Sequence, residues 1–166
     1  ENAIFATLSG RPAALHTNPF FRAFVCSVLA NVPNAVLVLF SNPHEVTDML
    51  STHLARHPRV IVVPMASNVA AATIQSVRYT YYLRALKQNP SWRRVALVDA
   101  TDSILQADPF AWMAGEQVSG SAPSLYATEE VRDYTLGAQK VNARWVRELY
   151  GSDTLSRIQQ LPVLCS

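Results

Sequence analysis

Residues 95–110 read Val95-Ala96-Leu97-Val98-Asp99-Ala100-Thr101-Asp102-Ser103-Ile104-Leu105-Gln106-Ala107-Asp108-Pro109-Phe110. An apolar run of strand length ends in two acids three apart, followed by a second short apolar run and a Pro-Phe turn. In an open α/β sheet, ligands bind in the crevice at the carboxyl ends of the strands. Two hard oxygen donors at such a strand end suit magnesium or manganese, which in turn can hold phosphate.

The segments before this stretch alternate. Ala3 to Leu8 is a β-leaning run closed by Ser9-Gly10-Arg11-Pro12. Asn18-Pro19 then pairs a capping residue with proline at the first helical position, and Phe20, Phe24, Val28 and Leu29 follow at helical spacing. Ala35 to Phe40 is apolar on both faces, as buried parallel strands are. A second helix is expected from Val46 through Met49, Leu50 and Leu54 to His57-Pro58, and a third strand over Val60 to Val63. A long helical pattern from about Ser67 to Lys87 closes at Asn89-Pro90. Three strand-helix alternations ahead of the motif strand predict right-handed βαβ units, a mainly parallel sheet and a three-layer α/β sandwich.

Beyond Phe110 the pattern predicts a loop from Gly115 to Pro123 and a strand over Ser124 to Thr128 running into Glu129-Glu130. Helices are expected from about Val131 to Tyr150 and again after Gly151, with Ser152 or Asp153 as the cap. Leu161 to Ser166 reads as a strand just beginning. The whole of 1–166 is expected to form one domain that stops short of its C-terminal part.

Composition narrows the function classes. With 49% hydrophobic and 16% charged residues in 166, the chain is expected to be globular. Its net charge of +2 and the scatter of its 14 basic residues give no nucleic-acid surface. Apolar stretches are broken well short of a membrane span. A Rossmann dinucleotide site or a P-loop needs a glycine-rich turn after the first strand. The chain has five glycines and that loop holds only Gly10, so neither an oxidoreductase nor a nucleotidase fingerprint is present. Metal-bridged phosphate is the remaining route.

Other residues have plainer readings. Asp108 before Pro109 is expected to shape a turn. Tyr79, Tyr81 and Tyr82 read as a packing cluster, and Trp92 and Trp112 as lids on the core. His16, His44, His53 and His57 show no ligand spacing. Cys26 falls in an apolar helical pattern and is expected in the core; Cys165 lies at the penultimate position, where its pairing stays open. No Asn-X-Ser/Thr sequon occurs. Glu129 and Glu130 suit a helix N-terminus.

The stretch Val98 to Phe110 resembles the metal-binding segment of GT-A fold, nucleotide-sugar-dependent glycosyltransferases, in which an apolar strand ends in a DxD motif with an apolar-Gln-x-Asp-Pro-Phe-like continuation. It is most similar to the group with an Asp-x-x-Asp version of that motif. Arg78, Tyr82 and Leu83 resemble that group's Arg-x-x-x-Tyr-Leu pattern. Tyr126-Ala127-Thr128-Glu129-Glu130, Asn142-Ala143-Arg144-Trp145, Tyr150-Gly151 and Cys165-Ser166 resemble its later landmarks. Thr101 stands where the second acid of DxD falls, and Asp102 comes one place later.

The resemblance implies a Rossmann-like GT-A nucleotide-binding portion. Asp99 and Asp102 would hold manganese or magnesium; Arg78 would offset charge on a diphosphate or pair with Asp99 itself; Ser9, Gly10 and Arg11 would lie beside the donor; Glu129 and Glu130 would face the sugar or acceptor. The implied substrates are a nucleotide sugar and a glycan or protein acceptor, and the implied location is the Golgi lumen or the secreted fraction. The broken DxD spacing and the missing acceptor half leave a second expectation, a catalytically inactive GT-A-like module serving a larger assembly.

Overall fold

The computed structural model describes residues 1–8, 18–41, 54, 56–66, 71–100, 103–111, 128–129, 140–160 and 164–165. The chain divides into two compact units, Glu1–Val118 and Ser119–Ser166.

The first unit carries four strands, β1 (Asn2–Leu8), β2 (Ala35–Ser41), β3 (Val60–Pro64) and β4 (Arg94–Asp99), and two helices, α1 (Pro19–Asn31) and α2 (Ala71–Gln88). The strands form one sheet in the order β3-β2-β1-β4, and every neighbouring pair is parallel. The fold is therefore α/β, with its strands where the apolar runs predict them. The expected helix over 46–57 lies mostly outside the described residues, as do 67–70 at the start of the long helix.

Strand order explains the layers. The path from β1 to β2 moves one way across the sheet, and the path from β3 to β4 crosses back past β1. Right-handed crossovers running in opposite directions deliver their helices to opposite faces. Ile4, Ala6, Leu8, Leu37 and Leu39 accordingly pack under α1 with Phe21, Phe24, Val25 and Val28. The alternate residues Ala3, Phe5, Val38 and Phe40 pack under α2 with Tyr82, Ala85 and Trp92. Two cores thus share one sheet, and the period-2 alternation of side chains assigns each strand residue to one of them.

Helix α1 begins as its sequence predicts. Pro19 occupies the first turn, and Asn18 Oδ1 accepts from the backbone N–H of Phe20 (2.9 Å) and of Phe21 (3.4 Å). At the other end the Arg59 guanidinium donates to the carbonyls of Val32 (2.8 Å) and Leu29 (2.6 Å), satisfying acceptors that a helix end leaves open. The buried stripe is Phe21, Phe24, Val25 and Val28, which corrects two expectations. Phe20 is 62% exposed, and Cys26 is exposed rather than in the core. A helix apolar on nearly every side leaves the choice of inward stripe to the sheet beneath it.

The segment after the motif strand returns to the α1 face. Leu105 N–H donates to Ser27 Oγ (3.0 Å), and Asn31 Nδ2 donates to the Leu105 carbonyl (2.7 Å). Asp108 forms the expected turn, its Oδ1 accepting from Phe110 N–H at 2.8 Å. Phe110 is buried in the α1-side core. Trp92 caps the other core, edge-on to Phe5 with ring centroids 5.4 Å apart; Trp112 lies outside the described residues.

In the second unit a short antiparallel pair joins β5 (Thr128–Glu129) to β6 (Leu164–Cys165), and two helices follow one another, α3 (Lys140–Tyr150) and α4 (Ser152–Ile158). Residues 124–127 and 131–139 of the expected strand and helix lie outside the described residues. Gly151, at φ 86°, makes the joint between the helices: its N–H donates to Arg147 O (3.0 Å) and its carbonyl accepts from Leu155 N–H (3.3 Å). Gly151 is thus the N-cap of α4, with no side-chain capping bond, in place of the expected Ser152 or Asp153. A positive φ between two helices is the conformation glycine adopts without steric cost. Among the described residues, no helix is long and apolar enough to cross a membrane.

Candidate functional site

In the order β3-β2-β1-β4 the chain reverses direction across the sheet at β1 and β4, and the carboxyl ends flanking such a reversal open into a crevice. Parallel pairing aligns Thr7 of β1 with Asp99 of β4. Side chains paired in register point to the same face, and Thr7 follows Phe5 on the α2 side. One full turn of α2 separates Arg78 from Tyr82, so both reach that end of the sheet.

Five polar side chains meet there. Arg78 Nη1 donates to Asp99 Oδ1 at 2.6 Å, and Arg78 Nη2 donates to the Tyr79 hydroxyl at 3.1 Å. The guanidinium carbon also lies 5.0 Å from the centroid of the Tyr79 ring, within cation–π range. Below them the hydroxyls of Thr7 and Tyr82 are 2.6 Å apart in a buried hydrogen bond. Tyr82 stands edge-on to Phe5 and to Tyr79, so the polar group rests on an aromatic floor.

Exposure is unequal across the ion pair, 13% for the Arg78 side chain and 46% for that of Asp99. The acid faces the crevice and the base stands behind it. Burial alone would lower the pKa of Arg78, but its hydrogen bonds to Asp99 and Tyr79, together with their charges, outweigh that and raise it. Tyr82 is held above the ordinary phenol value, first by burial; the Thr7 hydrogen bond and the positive Arg78 act the other way. Both groups keep their protons at neutral pH. Because Asp99 is half in water, the ion pair contributes only about 1 kcal/mol or less to stability, and its geometry matters more than its energy. Arg78 Nε is buried and has no hydrogen-bond partner among the described residues.

Of the sequence candidates, Arg78 and Asp99 come together. Asp102, Ser9, Gly10, Arg11 and Glu130 lie outside the described residues. Glu129 is in β5 of the second unit. Thr7 is the residue that sequence reasoning missed; its only signal is a hydroxyl near the end of an otherwise apolar strand. Tyr79 and Tyr82 do pack, as expected of an aromatic cluster, yet their hydroxyls also bond the polar group.

Asp99 suits a magnesium- or manganese-type ion in kind. Such ions are commonly held through one or two carboxylates, substrate phosphates and water, and a half-exposed carboxylate at a strand end offers hard oxygen of that sort. Among the described residues, no group of three His, Cys, Asp or Glu side chains gathers into a metal cage. Comparison with family models, with curated proteins and with solved structures gives no match.

Proposed function

We propose that this chain is the nucleotide-binding portion of a GT-A-like glycosyltransferase that moves a sugar from a nucleotide diphosphate donor to a glycan or protein acceptor. The observation that carries the reading is the pairing of Thr7 with Asp99 at the carboxyl-end crevice, with Arg78 bonded to the acid from α2. Asp99, with Asp102 three residues on, would hold a divalent cation. When bound, that cation supplies Lewis-acid stabilisation of the leaving diphosphate. Arg78 offsets negative charge from behind the acid, and its planar fork suits phosphate or carboxylate oxygens. Ser9, Gly10 and Arg11, continuing directly from β1, would flank the donor. Glu129 and Glu130 are candidates for the sugar or acceptor side, and the resemblance carries with it a Golgi-lumenal or secreted location.

The test is calorimetry of the full chain with manganese and UDP. Binding of UDP with manganese, lost or weakened at least tenfold in Asp99→Asn and in Asp102→Asn, supports the reading. Unchanged affinity in both variants overturns the metal assignment. A second reading, an inactive GT-A-like module within a larger assembly, is favoured by one specific observation: Asp99 already has a cation at 2.6 Å. Wild-type protein that binds neither UDP nor manganese favours that module.

A further inference from the structure

We propose that Arg78 is an internal counter-ion that competes with the divalent cation for Asp99, so that metal and diphosphate bind with strong mutual dependence. The inference rests on the nucleotide-diphosphate reading and adds a rule for how the site fills. Asp99 Oδ1 is taken by Arg78 Nη1 at 2.6 Å, and the guanidinium is held in place by the Tyr79 hydroxyl and ring face. A metal ion approaching this carboxylate alone meets a fixed positive charge at hydrogen-bond distance from its ligand, and like charges at that range repel. Metal without nucleotide is therefore disfavoured.

A diphosphate changes both terms. Its oxygens accept from the guanidinium in the bidentate geometry that Arg favours, which draws Arg78 off Asp99, and its negative charge offsets the two cations. The terminal nitrogens Nη1 and Nη2 carry four of the five N–H donors of the guanidinium, and among the described residues they make one hydrogen bond each, to Asp99 and to Tyr79, which leaves N–H groups on that edge for a ligand. The pivot is short, since the Tyr79 hydroxyl continues to hold Nη2 while Nη1 changes partner. Binding of either ligand then raises the affinity of the other by the same factor, as linkage requires.

The full chain is titrated with manganese, following the free-ion paramagnetic resonance signal, with and without saturating UDP. In the wild type, UDP should tighten manganese by roughly tenfold or more, a typical coupling. Arg78→Gln should bind manganese alone several-fold tighter than wild type, bind UDP alone more weakly, and show coupling reduced to about twofold. Weaker manganese binding by Arg78→Gln, or coupling equal to that of the wild type, overturns the inference and leaves the nucleotide reading standing. Absence of UDP binding in the wild type, with or without metal, overturns both.

Should Arg78→Gln fail to fold, the wild type still decides the matter through the Nε–H nuclear resonance of Arg78, assigned by its loss in Arg78→Lys. Metal-free UDP should move that resonance. No movement at UDP saturation overturns the inference.

Discussion

The two faces of the sheet are built from the same strands and differ in what they do at the carboxyl end. Under α1, Ile4, Ala6, Leu8, Leu37 and Leu39 meet two phenylalanines and two valines of the helix, and the carboxyl end of that layer, where Leu8 pairs with Ser41 and Ala100 follows β4, is buried. Under α2 the filling is aromatic, Phe5, Phe40, Tyr82 and Trp92, and the end of the layer turns polar through Thr7, Asp99 and Arg78. The end under α1 is closed to solvent. An aromatic face with hydroxyls can carry polar groups at its rim, because tyrosine offers an apolar body and a polar tip. The comparison teaches that the candidate site belongs to one core and not the other, so substitutions on the two faces should separate stability from ligand binding.

The largest effects come from emptying either core. Phe5→Ala and Phe24→Ala should each cost about 3–5 kcal/mol in denaturant unfolding, the usual range for a buried phenylalanine. Only Phe5→Ala should also weaken UDP binding under folding conditions, because Phe5 touches the Tyr82 ring. Equal binding losses in the two variants would break the distinction between the faces.

Smaller changes sharpen it. Tyr82→Phe leaves the buried Thr7 hydroxyl without its partner and should cost about 1–2 kcal/mol. It should also change the alkaline limb. The native pKa of Tyr82 is raised above its ordinary 10.0, so the unfolded state releases the proton first. This contribution is fully present below pH 10 and falls away as pH rises through the native value. Unfolding curves above pH 10 should therefore decline less steeply in Tyr82→Phe than in the wild type. On the opposite face Asn18→Ala removes the cap of α1 and should cost about 1 kcal/mol with no change in UDP affinity. In the second unit, Arg144→Ala breaks an exposed pair 3.8 Å long and should move stability by less than about 0.5 kcal/mol.

Much of the first unit was legible in its sequence. Strands β1, β2 and β4 are apolar on both faces because helices cover both, and a continuous apolar run is the direct result. Asn18-Pro19 announces α1 because its capping is local chemistry. What escaped reading was decided by tertiary geometry. Phe20 and Phe21 are adjacent, and only the sheet determines which of them turns inward. At Gly151 the cap depends on a backbone angle, while the neighbouring Ser152 and Asp153 offer the usual capping side chains and are not used. Pairing with Asp99, 21 residues away, was one of two roles expected of Arg78, and no spacing rule chooses between them. Thr7 carries one hydroxyl in an apolar strand, a signal that gains meaning only when register sets it beside Asp99.

The most direct test of the proposed site uses manganese as a ruler. With UDP and substoichiometric manganese, paramagnetic broadening should erase the amide signals of Thr7, Leu8 and Asp99 and spare those of Asn2 and Arg94 at the opposite ends of the same strands, roughly 15–20 Å away at 3.3 Å per residue. Broadening centred on the amino ends, or spread evenly over the sheet, would contradict a metal-diphosphate site at the end of β4.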